Sequence, residues 1–227
     1  MRKSILLLVF LVTAGLGATS RHLGGWAVVT VDDLPDYVVV GQPVRLSFVV
    51  RQHGMRPLDG LRPRVEAKAG SVDISVNALA VHDTGTVRYV ATLNLSRPGE
   101  WTVTIQSGFG GQATTLPPLR AVEQGAAPPR ALSELERGRR LFIAKGCFTC
   151  HVNTEVTLAP SLRIGPELTG RRYPAEQLAK FLAHPESVRL TQVPRAGPFT
   201  MPNLGLKERE IASLVAMING GREVSAR

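Results

Sequence analysis

Residues Gly146–His151 read GCFTCH, and they hold both cysteines of a 227-residue chain. Two thiols three positions apart with a histidine directly behind them admit few chemistries. A disulfide closing so short a loop would constrain little of the unfolded chain. A structural zinc site wants four protein ligands, and the sequence has no second cysteine pair to supply them. A thioredoxin-like redox pair opens a helix after a strand, whereas this pair closes one. The segment ALSELERGRRLFIAKGC, residues 131–147, places Ser133 three before Glu136, the signature of a capping box, and puts Leu135, Leu141 and Phe142 on one helical face. What remains is C-x-x-C-H, the attachment signature for c-type haem. Cys147 and Cys150 then stand on one side of a helical turn, where each thiol can add to a haem vinyl group, and His151 can turn its imidazole to the iron.

That leaves the other side of the iron. The candidate ligands downstream are His184, Met201 and Met217. Met201 sits in GPFTMPNLGL, a segment without helical or strand period, and Pro202 biases it toward extended backbone. A methionine there has little to do unless its sulfur is used. Met217 falls within the apolar pattern of the last helix and reads as core filler. His184 closes the middle helix and is the bis-histidine alternative. His/Met ligation is a known haem mode, and it makes Met201 the expected partner of His151.

Downstream of the motif the period stays helical. PAEQLAKFLAHPE predicts a helix opened by Pro174, with Leu178, Phe181 and Leu182 as its apolar stripe. KEREIASLVAMINGG predicts another, with Ile211, Leu214, Val215 and Ile218 at i, i+3, i+4 and i+7, stopped by Asn219-Gly220-Gly221. Three helices joined by glycine- and proline-rich loops would pack poorly around nothing.

Upstream the period changes to two. Val44, Leu46, Phe48 and Val50 alternate with polar residues, and the same alternation recurs at Val72-Ile74-Val76, Val87–Leu95 and Trp101–Ile105. SRPGEW, residues 96–101, reads as the turn of a hairpin between the last two. Further strands are expected at Trp26–Val31, Arg64–Ala69 and Thr114–Val122. About seven short strands in roughly 100 residues predict an immunoglobulin-like β-sandwich over residues 26–122. EQGAAPPR, residues 123–130, is small and proline-rich and reads as a linker. The expected organisation is multidomain: an all-β sandwich followed by an all-α domain at 131–221.

The chain begins MRKSILLLVFLVTAGLGATS, a basic leader, an apolar run and small residues, which is the layout of a secretory signal peptide over residues 1–20. A periplasmic or otherwise extracytoplasmic protein is expected, with membrane association only if that segment is kept. The net charge of +9, from 27 basic and 18 acidic residues, has most of its excess after residue 130. Without interleaved aromatic and basic residues it speaks against nucleic acid and for partners with acidic surfaces. No carboxylate pair or Ser-His-Asp arrangement suggests an enzyme. In RQHGM, His53 and Met55 could hold copper, with His82 as a third ligand.

With helix-CFTCH at the front, IGPELTGRR in the middle and MPNLGL before the terminal helix, residues 131 to about 220 resemble a class I monohaem cytochrome c. The resemblance implies one covalent haem c on Cys147 and Cys150, axial ligands His151 and Met201, and a Pro166 carbonyl accepting the Nδ1 proton of His151. It also implies that the first helix crosses the last through Gly138 and Phe142. Met217 stands where an aromatic is common, and Leu206-Lys207 where a Ser/Thr cap is common, so a frayed first turn is expected in the last helix. The sandwich resembles bacterial modules of the YtkA-like kind. An exported electron carrier follows, its sandwich serving to dock it. The alternatives are a haem-bearing relay subunit of a larger oxidoreductase and a copper-handling protein.

Overall fold

The computed structural model describes residues 25–70, 74–188, 190 and 200–220. The expected signal peptide and the first residue of the Val72–Val76 alternation lie outside the described residues.

Two sheets pack face to face. One holds β1 (Ala27–Val31), β3 (Pro43–Gln52), β8 (Tyr89–Asn94) and β7 (Val81–His82) in that order, with the short β4 (Arg56–Pro57) paired to β3. The other runs β2 (Tyr37–Val39), β11 (Leu119–Val122), β9 (Gly99–Gln106), β5 (Arg64–Ala69) and β6 (Ser75–Leu79), with β10 (Ala113–Thr115) on β9. All pairings are antiparallel except β2 with β11. Alternation along each strand decides which face is buried. Leu46, Phe48 and Val50 from β3 and Ala91 and Leu93 from β8 meet Val65, Ala67, Trp101, Val103, Ile105 and Leu119 from the opposite sheet, all essentially without solvent contact. Each such aliphatic or phenyl group contributes about 1.5–3 kcal/mol by leaving water.

The structure differs from the expectation in two ways. Among the described residues there are eleven strands rather than about seven, because short edge pieces form and because Pro117-Pro118 divide the expected Thr114–Val122 strand into β10 and β11. The SRPGEW segment, moreover, is not a hairpin. Strands β8 and β9 belong to different sheets, so the segment crosses between them. A hairpin would have set the apolar faces Tyr89-Ala91-Leu93 and Trp101-Val103-Ile105 side by side in one sheet; the crossover lets each cover the other.

Residues 123–133 carry neither strand nor helix. Helix α1 (Glu134–Ala144) then starts on the anticipated cap, the Glu136 N–H donating to Ser133 Oγ at 3.2 Å and the Ser133 N–H to Glu136 Oε2 at 2.8 Å. Helices α2 (Ala175–Ala183) and α3 (Glu208–Ile218) follow. Helix α1 crosses α3 at Gly138, where a Cβ would come to 2.6 Å from Met217 Cβ and press on the Ser213 carbonyl. Only glycine permits that approach, and Phe142 and Met217 are buried beside it. Helix α3 starts without a Ser/Thr cap, and its first turn is tied back by one bond, the Lys207 N–H donating to Glu210 Oε2 at 3.0 Å.

The two domains are tightly joined. Arg137 makes a two-pronged ion pair with Asp36, at 2.6 and 2.8 Å. Arg140 donates to the carbonyls of Pro118 and Pro35, and Lys207 pairs with Asp33 at 2.6 Å. Lys145 is nearly sealed from solvent; its ammonium meets Glu210 at 2.8 Å and the Asp32 carbonyl at 2.6 Å, while its own carbonyl accepts from Thr30 Oγ1.

Candidate haem site

The site is built where α1 stops. Gly146, in the left-handed region at φ 76°, turns the chain off the helix, and Cys147–Thr149 form one 3-10 turn. The N–H groups of Cys150 and His151 both donate to the Cys147 carbonyl, at 3.1 and 2.9 Å. The following loop is laced back to this turn. Leu162, Gly165 and Leu168 donate their N–H groups to the carbonyls of Thr149, Cys150 and Val152, at 2.8, 3.0 and 2.7 Å. The lacing brings the Pro166 carbonyl to 2.9 Å from His151 Nδ1. A carbonyl can only accept, so Nδ1 carries the proton and the lone pair of the neutral ring is on Nε2. Gly165 presses on the imidazole so closely that a Cβ there would come to 2.5 Å from Nδ1. Burial holds the His151 pKa below its ordinary value, against the smaller opposing pull of the Pro166 carbonyl, which keeps the ring in its ligating form.

Cys147, Cys150, His151 and Met201 line one cavity of about 610 Å³, within the ~300–1,000 Å³ usual for cofactor sites. Its walls are otherwise mostly aliphatic and aromatic, among them Phe142, Leu168, Leu182 and Leu214. Burial pushes the Cys147 thiol up to about 12 and raises Cys150 as well. Near neutral pH both sulfurs are thus held as thiols rather than thiolates. The donor set fits a haem: two thiols on one turn, an imidazole with its tautomer fixed, a thioether, and an apolar chamber that they share.

The remaining candidates fall elsewhere. His184 is exposed and 3.6 Å from Glu186, and it does not line the cavity. Met217 is 3% exposed between α1 and α3, its sulfur accepting from Asn153 Nδ2 at 3.6 Å. His82 does not join His53 and Met55. The registers Phe48↔Tyr89 and Tyr89↔His82 set it level with Phe48, five residues short of His53 and so ~16 Å away along the strand. Among the described residues no group of three or more His, Cys, Asp or Glu could hold a metal ion.

Several contributors have no local signal in the sequence. Tyr173 and Asn219 exchange hydrogen bonds, N–H to Oδ1 at 2.9 Å and Nδ2–H to carbonyl at 3.0 Å, pinning the loop before α2 to the end of α3. The Lys145–Glu210 pair joins residues far apart in the chain. Part of the cavity wall, moreover, comes from the sandwich: Trp26, Val28, His53 and Gly54.

The family model for cytochrome c matches residues 135–221. Those residues form a cytochrome c domain. Such a domain implies haem c and an electron carrier, generally without an enzymatic activity of its own. No curated protein matches the chain. Among solved structures, a putative glycoside hydrolase from Bacteroides vulgatus is 19% identical over 40% of this chain and 17% of its own, with a TM-score of 0.29. Domains 4 and 5 of the S-layer protein SbsC are 18% identical over 41% and 50%, with a TM-score of 0.27. The chain thus spans half or less of these structures, and superpositions this poor carry no argument about the sandwich. No helix among the described residues is long and apolar enough to cross a membrane.

Proposed function

We propose that the protein is an exported c-type cytochrome that carries single electrons through one covalently bound haem. The observation that carries this reading is the convergence of Cys147, Cys150, His151 and Met201 on one apolar cavity. Cys147 and Cys150 would hold the macrocycle by thioether bonds. His151, oriented by Pro166 and Gly165, would ligate the iron through Nε2, and Met201 would ligate it through its sulfur. The haem contributes a reversible ferrous/ferric couple. Ligation by both His151 and Met201 would leave the iron no open site for oxygen or substrate, and a thioether ligand would favour a high potential.

The N-terminal leader supports export to the periplasm. The sandwich, an immunoglobulin-like fold on its strand pattern, would serve as a docking module, with Leu79 and Val81 exposed on edge strands of its two sheets. The basic excess of the chain suits redox partners with acidic surfaces.

The test is made on the ferrous holoprotein from a host that attaches haem. It should titrate as a single one-electron couple and show no spectral change with carbon monoxide, while Met201→Ala should bind carbon monoxide and lose the weak far-red ferric band of a sulfur–iron bond. Carbon monoxide binding by the unmodified protein, or a far-red band that survives in Met201→Ala, would contradict the assignment.

A further inference from the structure

We infer that the β-sandwich is a working wall of the haem chamber: Trp26, Val28 and His53 close it beside the Cys147–Cys150 turn and keep water from that side of the cofactor. The inference rests on the haem reading above. Three observations carry it.

The first is position. Trp26, Val28, His53 and Gly54 line the same cavity as both cysteines, His151 and Met201. The haem turn is also seated directly on β1, since a Cβ on Gly146 would come to 2.7 Å from the Val29 carbonyl and collide with Val28 Cγ1.

The second is that the wall is braced. The rings of Trp26 and His53 lie 5.5 Å apart, tilted by 60°, and the His53 N–H donates to the Trp26 carbonyl at 2.8 Å. His53, part of whose side chain is open to solvent, holds φ at 52°, in the left-handed region that histidine enters more readily than most side chains. The β3–β4 turn thereby sets the imidazole against Trp26.

The third is the anchorage. The sealed Lys145 ammonium is shared between Glu210 of α3 and the Asp32 carbonyl just after β1, and Lys145 itself lines the cavity. Separating the domains would take the Asp32 carbonyl from the ammonium and open its ion pair with Glu210, formed within the haem domain, to water. The end of the sandwich that carries β1 and the β3–β4 turn is therefore committed to the chain's own haem, and outside partners meet its other surfaces.

A water-excluding wall disfavours the additional positive charge of ferric haem and so raises the potential. The test compares midpoint potentials of full-length holoproteins. Trp26→Ala and His53→Gly, the second leaving the left-handed backbone unstrained, should each favour the ferric form about tenfold, a downward shift of ~59 mV for a one-electron couple. Trp26→Phe should restore most of it. Independently of any variant, carbodiimide treatment of the unmodified protein should join Lys207 to Asp33, whose charged atoms are 2.6 Å apart across the domains. Covalent haem with potentials unchanged in both variants, or the absence of the 33–207 cross-link, would overturn the wall while leaving the carrier intact. Failure of the unmodified chain to hold covalent haem would instead remove the reading on which it rests.

Discussion

The sandwich and the cytochrome c domain solve the problem of a core in opposite ways. The sandwich fills its centre with its own side chains: Trp101, Phe48, Tyr89 and Leu93 are all sealed from solvent, and alternate residues of each strand were enough to arrange it. Among the described residues the haem domain gathers nine buried apolar side chains in one cluster beside a chamber of about 610 Å³ that a haem would fill. One domain is complete as a polypeptide, and the other is a shell whose centre comes from outside. A domain of the second kind should depend on its cofactor for stability as well as for function.

The largest expected effect breaks the comparison open. In a Cys147→Ala, Cys150→Ala protein the helical signal should melt far earlier than in the holoprotein, while the β signal of the sandwich persists. Simultaneous loss of both would show that the sandwich is not self-sufficient. Next come two substitutions of similar size acting on different parts. Trp101→Ala should destabilise the sandwich by about 3–5 kcal/mol through the cavity it leaves. Glu210→Ala should cost about 3–5 kcal/mol by stranding the sealed Lys145 ammonium, an effect seen chiefly in the helical transition. Chemical denaturation followed by circular dichroism and by haem absorbance separates these outcomes.

A smaller effect concerns pH. Burial raises the Tyr89 pKa, so above the ordinary tyrosine range, near pH 10, the unfolded chain releases a proton that the folded one keeps. Stability should therefore fall as pH rises through that window, and Tyr89→Phe should flatten this slope. The same substitution should lose about 1 kcal/mol at neutral pH, because the Tyr89 hydroxyl donates to the Leu58 carbonyl at 2.9 Å. Smallest is Ser133→Ala, which removes the α1 cap and should cost about 1 kcal/mol, seen only in the helical transition.

The same contrast explains what could be read from the sequence. Signals within a few residues of each other were legible: the two thiols and His151 on one turn, the Ser133–Glu136 cap, the alternation of β3 and β9. Met201 stood out because its segment has no competing periodicity. Relations set by packing were not legible. Alternation in β8 and β9 says that each has one apolar face, but not whether those faces lie side by side or opposite, and so SRPGEW read as a hairpin. Lys145 and Glu210 each look like ordinary charged residues on helices until the fold puts them 2.8 Å apart. His53 invited a copper reading because sequence distance could not place His82, which register sets well away along the sheet. Trp26 looked like the start of a strand, and only the docking of the domains made it part of the cavity.

The most direct measurement of the central claim is peptide mapping by mass spectrometry of mature protein from a haem-attaching host, after alkylation of free thiols. The account predicts that the peptide containing Cys147, Cys150 and His151 carries one haem bonded through both sulfurs and takes up no alkylating reagent. Recovery of that peptide with both cysteines alkylated and no haem would contradict it.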